Sequence, residues 1–314
     1  MPKTEPDRLI TPDRLIAIDW SGRIDLPGQR RHIYAGIWTR SKNGKITVKL
    51  EAGRTRDEVA DWLIALAAET PRMVVSIDCC FSYPAWFLEE HNCATVFDFW
   101  KHVADGQGER WLAREAVDIA HDTRFWGKPH KRPEEFSGEN LRRMMRFTDW
   151  DNKIAQRLPN GDADRAAKMI GITPKSPFQI GGSGSVGTGS LRAMPFLLRL
   201  REAGFRTWPF EAASPNKPLV VEMYTRLMTG AVAKRNPTAR KAYLSARRKQ
   251  DPLFAPVSRA VFRTAEASED AFDALISTME MVRYAGEFAR LKATKDPILR
   301  LEGITWRPGV SQAG

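Results

Sequence analysis

The chain has 314 residues, of which 42% are hydrophobic and 28% charged, and its formal net charge is +11. This length and hydrophobic content suffice for a full core, which excludes a disordered chain, and the positive charge favours a polyanionic partner such as nucleic acid. Three cysteines are too few for a disulfide framework, and the sequence contains no apolar run long enough to cross a membrane, so we predict a cytoplasmic protein.

The first predicted strand is the apolar run Leu15 to Ile18, which ends in a carboxylate, Asp19. Continuous apolar runs are typical of strands that are covered on both faces. Two β-rich segments follow at 32–39 and 45–51, and the Asn-Gly pair at 43–44 between them predicts a hairpin. We therefore expect three strands that alternate in direction.

A helix and another buried strand come next. Apolar residues recur at helical spacing from about Arg56, and the apolar strand at 73–77 ends in Asp78. Because a helical crossover precedes it, this strand is expected to run parallel to the first. If the two lie side by side, Asp19 and Asp78 are roughly 5 Å apart at the edge where open α/β sheets bind ligands. Carboxylates this close repel unless a proton or a cation lies between them.

The remaining chain divides into an insertion and the second half of the sheet domain. Residues 84–176 are predicted to form a helical insertion between 14–83 and 177–290, with a C-terminal extension at 291–314. Helical patterns in the insertion cover 96–104, 109–121, 139–146 and 162–170. After it we predict a Gly/Ser loop at 177–190, a helix at 191–203, extended segments at 205–210 and 219–224, and a last helix, capped by Ser268, at 269–290.

Further acids lie in the second half. Glu222 lies within the apolar strand VVEMY, and an acid that faces water on an edge strand would explain it equally well. Asp270 lies in the first turn of the last helix, where the helix dipole favours acids. Asp273 lies beyond that turn, on a helix face with small residues, so we expect a site there.

Two segments have the chemistry for phosphate contacts. The glycine-rich loop precedes a helix N-terminus and offers the hydroxyls of Ser183, Ser185 and Thr188, although a flexible surface turn would have the same composition. Residues 226–249 contain eight Lys or Arg and no acid, which departs from the mixed charges of an ordinary solvated helix. The nucleic-acid contacts that we predict there are Lys234, Arg235, Arg240 and Lys241.

Five blocks of the sequence resemble a known family. They are IAIDWSG, VVSIDCCFSYP, GSGSVGTGS with LRAMPFLLRLREAG, VVEMY and EDAFDALISTMEM, and they span residues 14 to 290. They are similar to domain-of-unknown-function family 429, whose members are predicted to be ribonuclease H-like nucleases. Three antiparallel strands, a helix, a parallel strand and a late acidic helix also follow the ribonuclease H-like plan. The block with Asp270 and Asp273 is similar to the C-terminal helix of Holliday-junction resolvases.

The resemblance implies a two-metal phosphodiester hydrolase that uses Mg²⁺ or Mn²⁺. Asp19 and Asp78 would bind the metals, and Asp273 with Asp270 would complete the cluster. Glu222, which matches the acid of the family's later strand, would be a further catalytic acid. The sequence departs from the family in one block, since Cys79 and Cys80 stand where a small residue and a proline often follow the second Asp.

Two other classes of protein remain open. Sugar kinases and related ATPases share the strand plan and an early-strand Asp, but the sequence contains no second copy of the β-β-β-α-β unit that their two lobes require. A non-catalytic nucleic-acid-binding protein would use the same acids structurally, because an Asp at a strand end often only caps a turn. Neither the kind of nucleic acid nor the oligomeric state follows from the sequence.

Overall fold

Six strands form one mixed sheet in the described part of the protein. The computed structural model describes residues 11–113, 122–128, 130–137, 144–146, 175–182, 185–230 and 232–309. The strands are β1 (Arg14–Asp19), β2 (Tyr34–Arg40), β3 (Ile46–Glu51), β4 (Met73–Asp78), β5 (Arg206–Trp208) and β6 (Leu219–Met223). Their order across the sheet is β3-β2-β1-β4-β6-β5. With helices on both faces, the protein has the α/β fold and mixed sheet that the sequence predicts.

The strand directions also follow the prediction. β2 is antiparallel to β1 and β3, whereas β4 is parallel to β1, and β6 is parallel to β4 and β5. Ile18 of β1 pairs with Ile77 of β4, so the next residues, Asp19 and Asp78, end neighbouring strands at the same edge. The conditional prediction that these strands are adjacent is therefore confirmed.

The helices begin at local signals in the sequence. They are α1 (Leu26–His32), α2 (Arg56–Glu69), α3 (Ala85–Glu90), α4 (Val96–His102), α5 (Gly108–Leu112), α6 (Gly187–Glu202), α7 (Thr225–Thr229), α8 (Pro237–Gln250), α9 (Arg259–Ala267), α10 (Glu269–Arg283), α11 (Ala285–Phe288) and α12 (Leu299–Glu302). Thr55 and Glu58 form a capping box at the start of α2, and the Ser268 side chain accepts a hydrogen bond from Ala271 N–H at the start of α10. Among the described helices, none combines the length and apolar character needed to cross a bilayer.

Alternation along the strands separates two apolar layers. Ile16 and Ile18 of β1 lie in the layer that contains residues of α2 and α6. Leu15 and Ala17, which point to the other face, lie in the layer that contains residues of α10. Because side chains alternate with a period of two, Asp19 follows Leu15 and Ala17 onto the α10 face.

A close approach fixes α10 against the sheet. A Cβ atom at Gly36 of β2 would lie 2.3 Å from Thr278 Oγ1 and 2.5 Å from the Ala274 carbonyl oxygen, both on α10. A side chain at this position would push the helix away, because buried elements are packed at the density of a solid. Gly36 therefore allows the depth at which α10 lies on β1 and β2.

The described parts of the predicted insertion do not form a separate core. Phe87, Trp100, Trp111 and Phe125 belong to the same buried cluster as the strand residues of one sheet face. The predicted helices at 162–170 and most of 139–146 lie outside the described residues. The predicted extension also packs on the domain, since Trp306 is fully buried and its backbone N–H donates to the backbone carbonyl oxygen of Glu222 in β6 at 2.8 Å.

Some element bounds differ from those that the sequence pattern predicts. The chain forms the helix α1 before β2. The sequence pattern predicts no helix there, only a strand that starts at residue 32. Asp25 accepts a hydrogen bond from Gly28 N–H, and Pro27 lies in the first turn, so a helix-start signal is present there. The last helix ends at Arg283 rather than at residue 290, and α6 begins at Gly187 rather than at 191.

Candidate active site at the carboxyl edge of the sheet

Three carboxylates from distant parts of the chain converge beside the ends of β1 and β4. Asp19 ends β1 and Asp78 ends β4. Asp78 shares its face of β4 with Ser76, whose hydroxyl contacts the Met281 sulfur of α10 at 3.0 Å. Both aspartates therefore lie on the α10 side of the sheet, where α10 presents Asp273. We call Asp19, Asp78 and Asp273 the acidic cluster.

Asp273 is almost fully buried, with 2% of its surface exposed. Its Oδ2 atom forms an ion pair with the ammonium group of Lys234, which precedes α8. Its Oδ1 atom is buried and, among the described residues, accepts no hydrogen bond. A buried carboxylate oxygen without a partner is costly, so this atom is available to a ligand.

Burial and mutual repulsion raise the pKa values of the cluster. Burial raises the pKa of Asp19 well above its usual value, and the charges of Asp273 and Asp78 raise it further. Burial raises the pKa of Asp273 to about 6, although the Lys234 ammonium acts in the opposite direction. The carboxylates thus resist being ionised together unless a positive charge is added.

Asp78 is held in place by α7. The Thr225 hydroxyl donates to Asp78 Oδ2 at 2.9 Å, and Thr225 N–H donates to Oδ1 at 3.4 Å. Burial still raises the pKa of Asp78, because it outweighs Lys234 and these hydrogen bonds. Thr225, which the sequence analysis did not single out, therefore orients a cluster carboxylate.

Lys234 lies inside the site rather than on an exposed basic surface. Its ammonium is paired with Asp273 and lies 3.6 Å from Glu269 Oε1. Burial acts to lower the pKa of Lys234, but the charges of Asp273, Asp19 and Asp78 outweigh burial and raise it. Lys234 is thus the counter-charge of the acidic cluster, a role that its position in a basic run did not indicate.

Asp270 lies at the margin of the site. Its Oδ2 atom is 2.9 Å from His32 Nδ1, at the end of α1. Its side chain keeps 30% of its surface exposed, and its charge contributes to the raised pKa of Asp19. Asp270 therefore adds to the negative potential and has His32 as its own partner.

The prediction that Glu222 is a catalytic acid needs correction. Val220 of β6 packs in the apolar layer opposite α10, and alternation places Glu222 on that same opposite face. Glu222 is buried and forms a bidentate ion pair with Arg146. Its two oxygens also accept hydrogen bonds of 2.6 Å, from Phe81 N–H and from the Thr305 hydroxyl. The carboxylate is saturated by these partners, and its role is to anchor Arg146.

The acidic cluster fits a divalent cation in donor type and charge. Mg²⁺ and Mn²⁺ prefer carboxylate oxygens, and three carboxylates here face one ammonium. Within the part of the chain that the structure describes, the acidic, histidine and cysteine side chains form no group of three already positioned around an ion. Lys234 supplies the positive charge in this arrangement. Asp273 Oδ1, which accepts no hydrogen bond from the described residues, is the oxygen that a cation would bind.

A cavity of about 610 Å³ opens next to the cluster. Asp78 lines it, together with Trp20 after β1, Tyr224 after β6, the paired Glu222 and Arg146, and residues 180–182, 185–186 and 188–189 of the glycine-rich loop. We call it the edge cavity. Of the predicted phosphate-binding hydroxyls, those of Ser185 and Thr188 line it, whereas Ser183 lies outside the described residues. The Thr188 hydroxyl donates to Ile180 O at 2.8 Å, so it also stabilises the loop.

The basic segment divides into structural and exposed residues. Arg240 is buried, and its guanidinium donates to the carbonyl oxygens of Glu266, Ala267 and Lys234, so the prediction that it contacts phosphate is wrong. Arg235 and Lys241 are exposed at the start of α8. They remain predicted phosphate contacts.

The chain matches no family model, no curated protein and no solved structure. The resemblance between its sequence blocks and a nuclease family therefore stays a prediction.

Proposed function

We propose that the protein is a divalent-metal-dependent nuclease with a ribonuclease H-like fold. The observation that carries this proposal is the convergence of Asp19, Asp78 and Asp273 from two parallel strands and a late helix. The single ammonium beside them is not enough to neutralise three carboxylates. Buried carboxylates that repel one another are costly to ionise, and such groups cluster at functional sites, where a bound cation offsets the repulsion.

The sheet supports the fold assignment. Three antiparallel strands are followed by a helical crossover and a parallel strand, and the acid-bearing helix α10 packs across β1 and β2. This is the order of elements that the ribonuclease H-like plan requires. The net charge of +11 and the exposed Arg235 and Lys241 support a polyanionic substrate.

The residues of the chain have distinct roles in this proposal. Asp19, Asp78 and Asp273 would hold the two divalent cations, which when bound would stabilise charge on the attacking and leaving oxygens of a phosphodiester. Thr225 orients Asp78, and the close contact at Gly36 sets the position of Asp273. Lys234 keeps the cluster compact before a cation enters and then has its ammonium available to a phosphate oxygen.

Cleavage of nucleic acids tests this proposal. Purified protein is incubated with Mn²⁺ and a panel of single-stranded, duplex and branched DNA and RNA. We expect Mn²⁺-dependent cleavage of one class, its loss in Asp78→Asn, and its retention in Asp105→Asn, which removes an exposed acid away from the site. Turnover that is absent in wild type, or equal in both variants, would contradict the proposal. Hydrolysis of ATP without cleavage of nucleic acid would favour a phosphotransferase instead.

A further inference from the structure

We propose that the edge cavity binds one unpaired nucleobase of the substrate strand while the adjoining phosphate lies at the acidic cluster. This inference rests on the proposed nuclease function and adds a substrate class to it. Asp78 is the link, because it belongs to the acidic cluster and also lines the cavity. A strand whose phosphate reaches Asp78 therefore has its neighbouring base at the cavity mouth.

Aromatic rings flank this acid. Trp20 follows Asp19 at the end of β1, and Tyr224 follows β6, whose Met223 pairs with Asp78. Both rings line the cavity and both are partly exposed. Trp20 is held in place, since its Nε1–H donates to Gly189 O at 3.0 Å and its ring lies 4.7 Å from that of Phe196. Fixed, partly exposed rings are the surfaces on which bases stack.

Backbone also contributes to the cavity lining. Gly181, Gly182 and Gly189 of the glycine-rich loop line the cavity without side chains, beside the side chains of Ile180 and Val186. Gly189 lies against Trp20, whose Nε1–H donates to its carbonyl oxygen, and the turn after β1 lies directly on this loop, because a Cβ at Gly22 would be 2.6 Å from Gly189 N. Peptide groups beside aromatic rings offer a base hydrogen-bonding partners next to a stacking surface.

Size and charge favour a nucleotide unit over a smaller or neutral ligand. Cavities of roughly 300 to 1,000 Å³ suit ligands with the size of a nucleotide, and this one measures about 610 Å³. Arg23 and Lys175 line it beside the mutually paired Arg146 and Glu222, so the lining holds more basic than acidic side chains even with Asp78 included. A base that is paired and stacked in a duplex cannot enter such a slot, so the inferred substrate is single-stranded or has an extruded base.

Filling the cavity tests the inference without any need for cleavage. Ser185 lines the cavity, so Ser185→Trp fills it, whereas Thr47→Trp adds the same ring at an exposed position of β3 outside the cavity lining. Binding of a fluorescent single strand of about 12 nucleotides is measured in EDTA by anisotropy. We expect Ser185→Trp to weaken binding by about tenfold, as the loss of base stacking does, and Thr47→Trp to change it by less than about twofold. Equal binding by wild type and Ser185→Trp would overturn the inference.

Photocrosslinking of the wild-type protein gives a second readout that does not depend on the folding of a variant. The same strand carries one 5-iodouracil, and crosslinked peptides are identified by mass spectrometry. We expect crosslinks at Trp20 or Tyr224, and their loss when the iodouracil is paired in a duplex. Crosslinks that avoid both residues, or that persist in the duplex, would overturn the inference.

Two further measurements distinguish a strand from a free nucleotide, and the base site from the nuclease function. AMP is added as a competitor, and full displacement of the strand by an equal concentration of AMP would overturn the assignment of a strand in favour of a free nucleotide. Mn²⁺-dependent cleavage is measured in parallel. Cleavage that Ser185→Trp leaves unchanged would overturn the base site alone, whereas base crosslinks without any cleavage would support the site and contradict the nuclease function.

Discussion

The ammonium of Lys234 forms an ion pair with Asp273, and this pair places one positive charge beside carboxylates from three separate elements. Lys234 reaches the cluster from the segment before α8, a helix that packs on α9 and contacts α10 through Tyr243 and Phe272. A lysine in this position occupies one oxygen of the carboxylate that a divalent cation would use. Lys234 and a cation therefore compete for the same negative charge.

Replacing Lys234 by Met is expected to tighten Mn²⁺ binding. A unit charge a few ångströms away costs an incoming cation on the order of 1–4 kcal/mol, so we expect an increase in affinity of about tenfold. Binding is measured from the free Mn²⁺ signal in electron paramagnetic resonance. Lys241→Met removes an exposed lysine of the same charge and serves as the control. If Lys234→Met binds Mn²⁺ no more tightly than the control, the competition does not exist.

The raised pKa values predict that stability falls as pH rises. The carboxyl of Asp273, with its pKa raised from 3.8 to about 6, binds a proton in the folded state at pH values where the unfolded chain has lost it. Between about pH 4 and pH 6 the folded state therefore holds more protons, and the free energy of unfolding decreases with pH across this window. Asp19, whose pKa is raised well above its usual value, contributes in the same direction and extends the effect.

Asp19→Asn tests this sign, because it removes a carboxyl whose ionisation is opposed by burial in the folded protein but not in the unfolded chain. We expect its melting temperature at pH 7 to rise by about 2 °C, and its stability to depend less on pH than that of wild type. Thermal unfolding at pH 5 and pH 7 measures both effects. Asp105→Asn, an exposed position, is expected to leave both unchanged. A lower melting temperature for Asp19→Asn at pH 7 would contradict the assignment.

Local pattern was sufficient to predict the sheet edge. The apolar runs before Asp19 and Asp78, the hairpin signal and the count of strand directions predict two adjacent carboxylates, and Ile18 does pair with Ile77. Helix periodicity also favours Asp273 over Asp270 as a site residue, which stays a prediction. The prediction of the strands succeeded because apolar runs and turn signals are properties of a few consecutive residues.

Partners that are distant in the chain could not be predicted in this way. Arg146 lies 76 residues from Glu222, and no periodicity connects a residue of the insertion with a residue of β6. Lys234 likewise lies in a run of basic residues that predicts phosphate binding. Only the packing of its segment against α10 shows that its side chain faces inwards. The α1 helix differs, because Asp25 and Pro27 provided a start signal that sequence analysis did not use.

Glu222→Gln is expected to lower stability without affecting metal binding. The substitution leaves the buried Arg146 guanidinium without its counter-charge, which costs about 3 kcal/mol or more. Urea unfolding measures this loss, and the double variant Glu222→Gln with Arg146→Met should lose less than the sum of the two single variants. Mn²⁺ affinity should stay within about twofold of wild type, whereas Asp78→Asn should weaken it. A large loss of Mn²⁺ affinity in a folded Glu222→Gln protein would return Glu222 to the metal site.

Gly36→Ala is expected to displace the helix that holds Asp273. The added Cβ would lie 2.3 Å from Thr278 Oγ1 and 2.5 Å from the Ala274 carbonyl oxygen, so α10 must move outwards. Overpacking of this kind costs about 2 kcal/mol, and the movement separates Asp273 from Asp19 and Asp78. We expect a lower free energy of unfolding in urea and weaker Mn²⁺ binding.

Gly286→Ala is the matched control for this substitution, because a Cβ there meets no atom within 4 Å and the residue lies beyond the end of α10. It should change stability by less than about 0.5 kcal/mol. Loss of stability in Gly36→Ala with unchanged Mn²⁺ affinity would show that α10 can move without disturbing the acidic cluster. Weakened Mn²⁺ binding in Gly36→Ala alone would show that the contact between β2 and α10 sets the geometry of the site, since neither of the two glycines touches a cluster carboxylate.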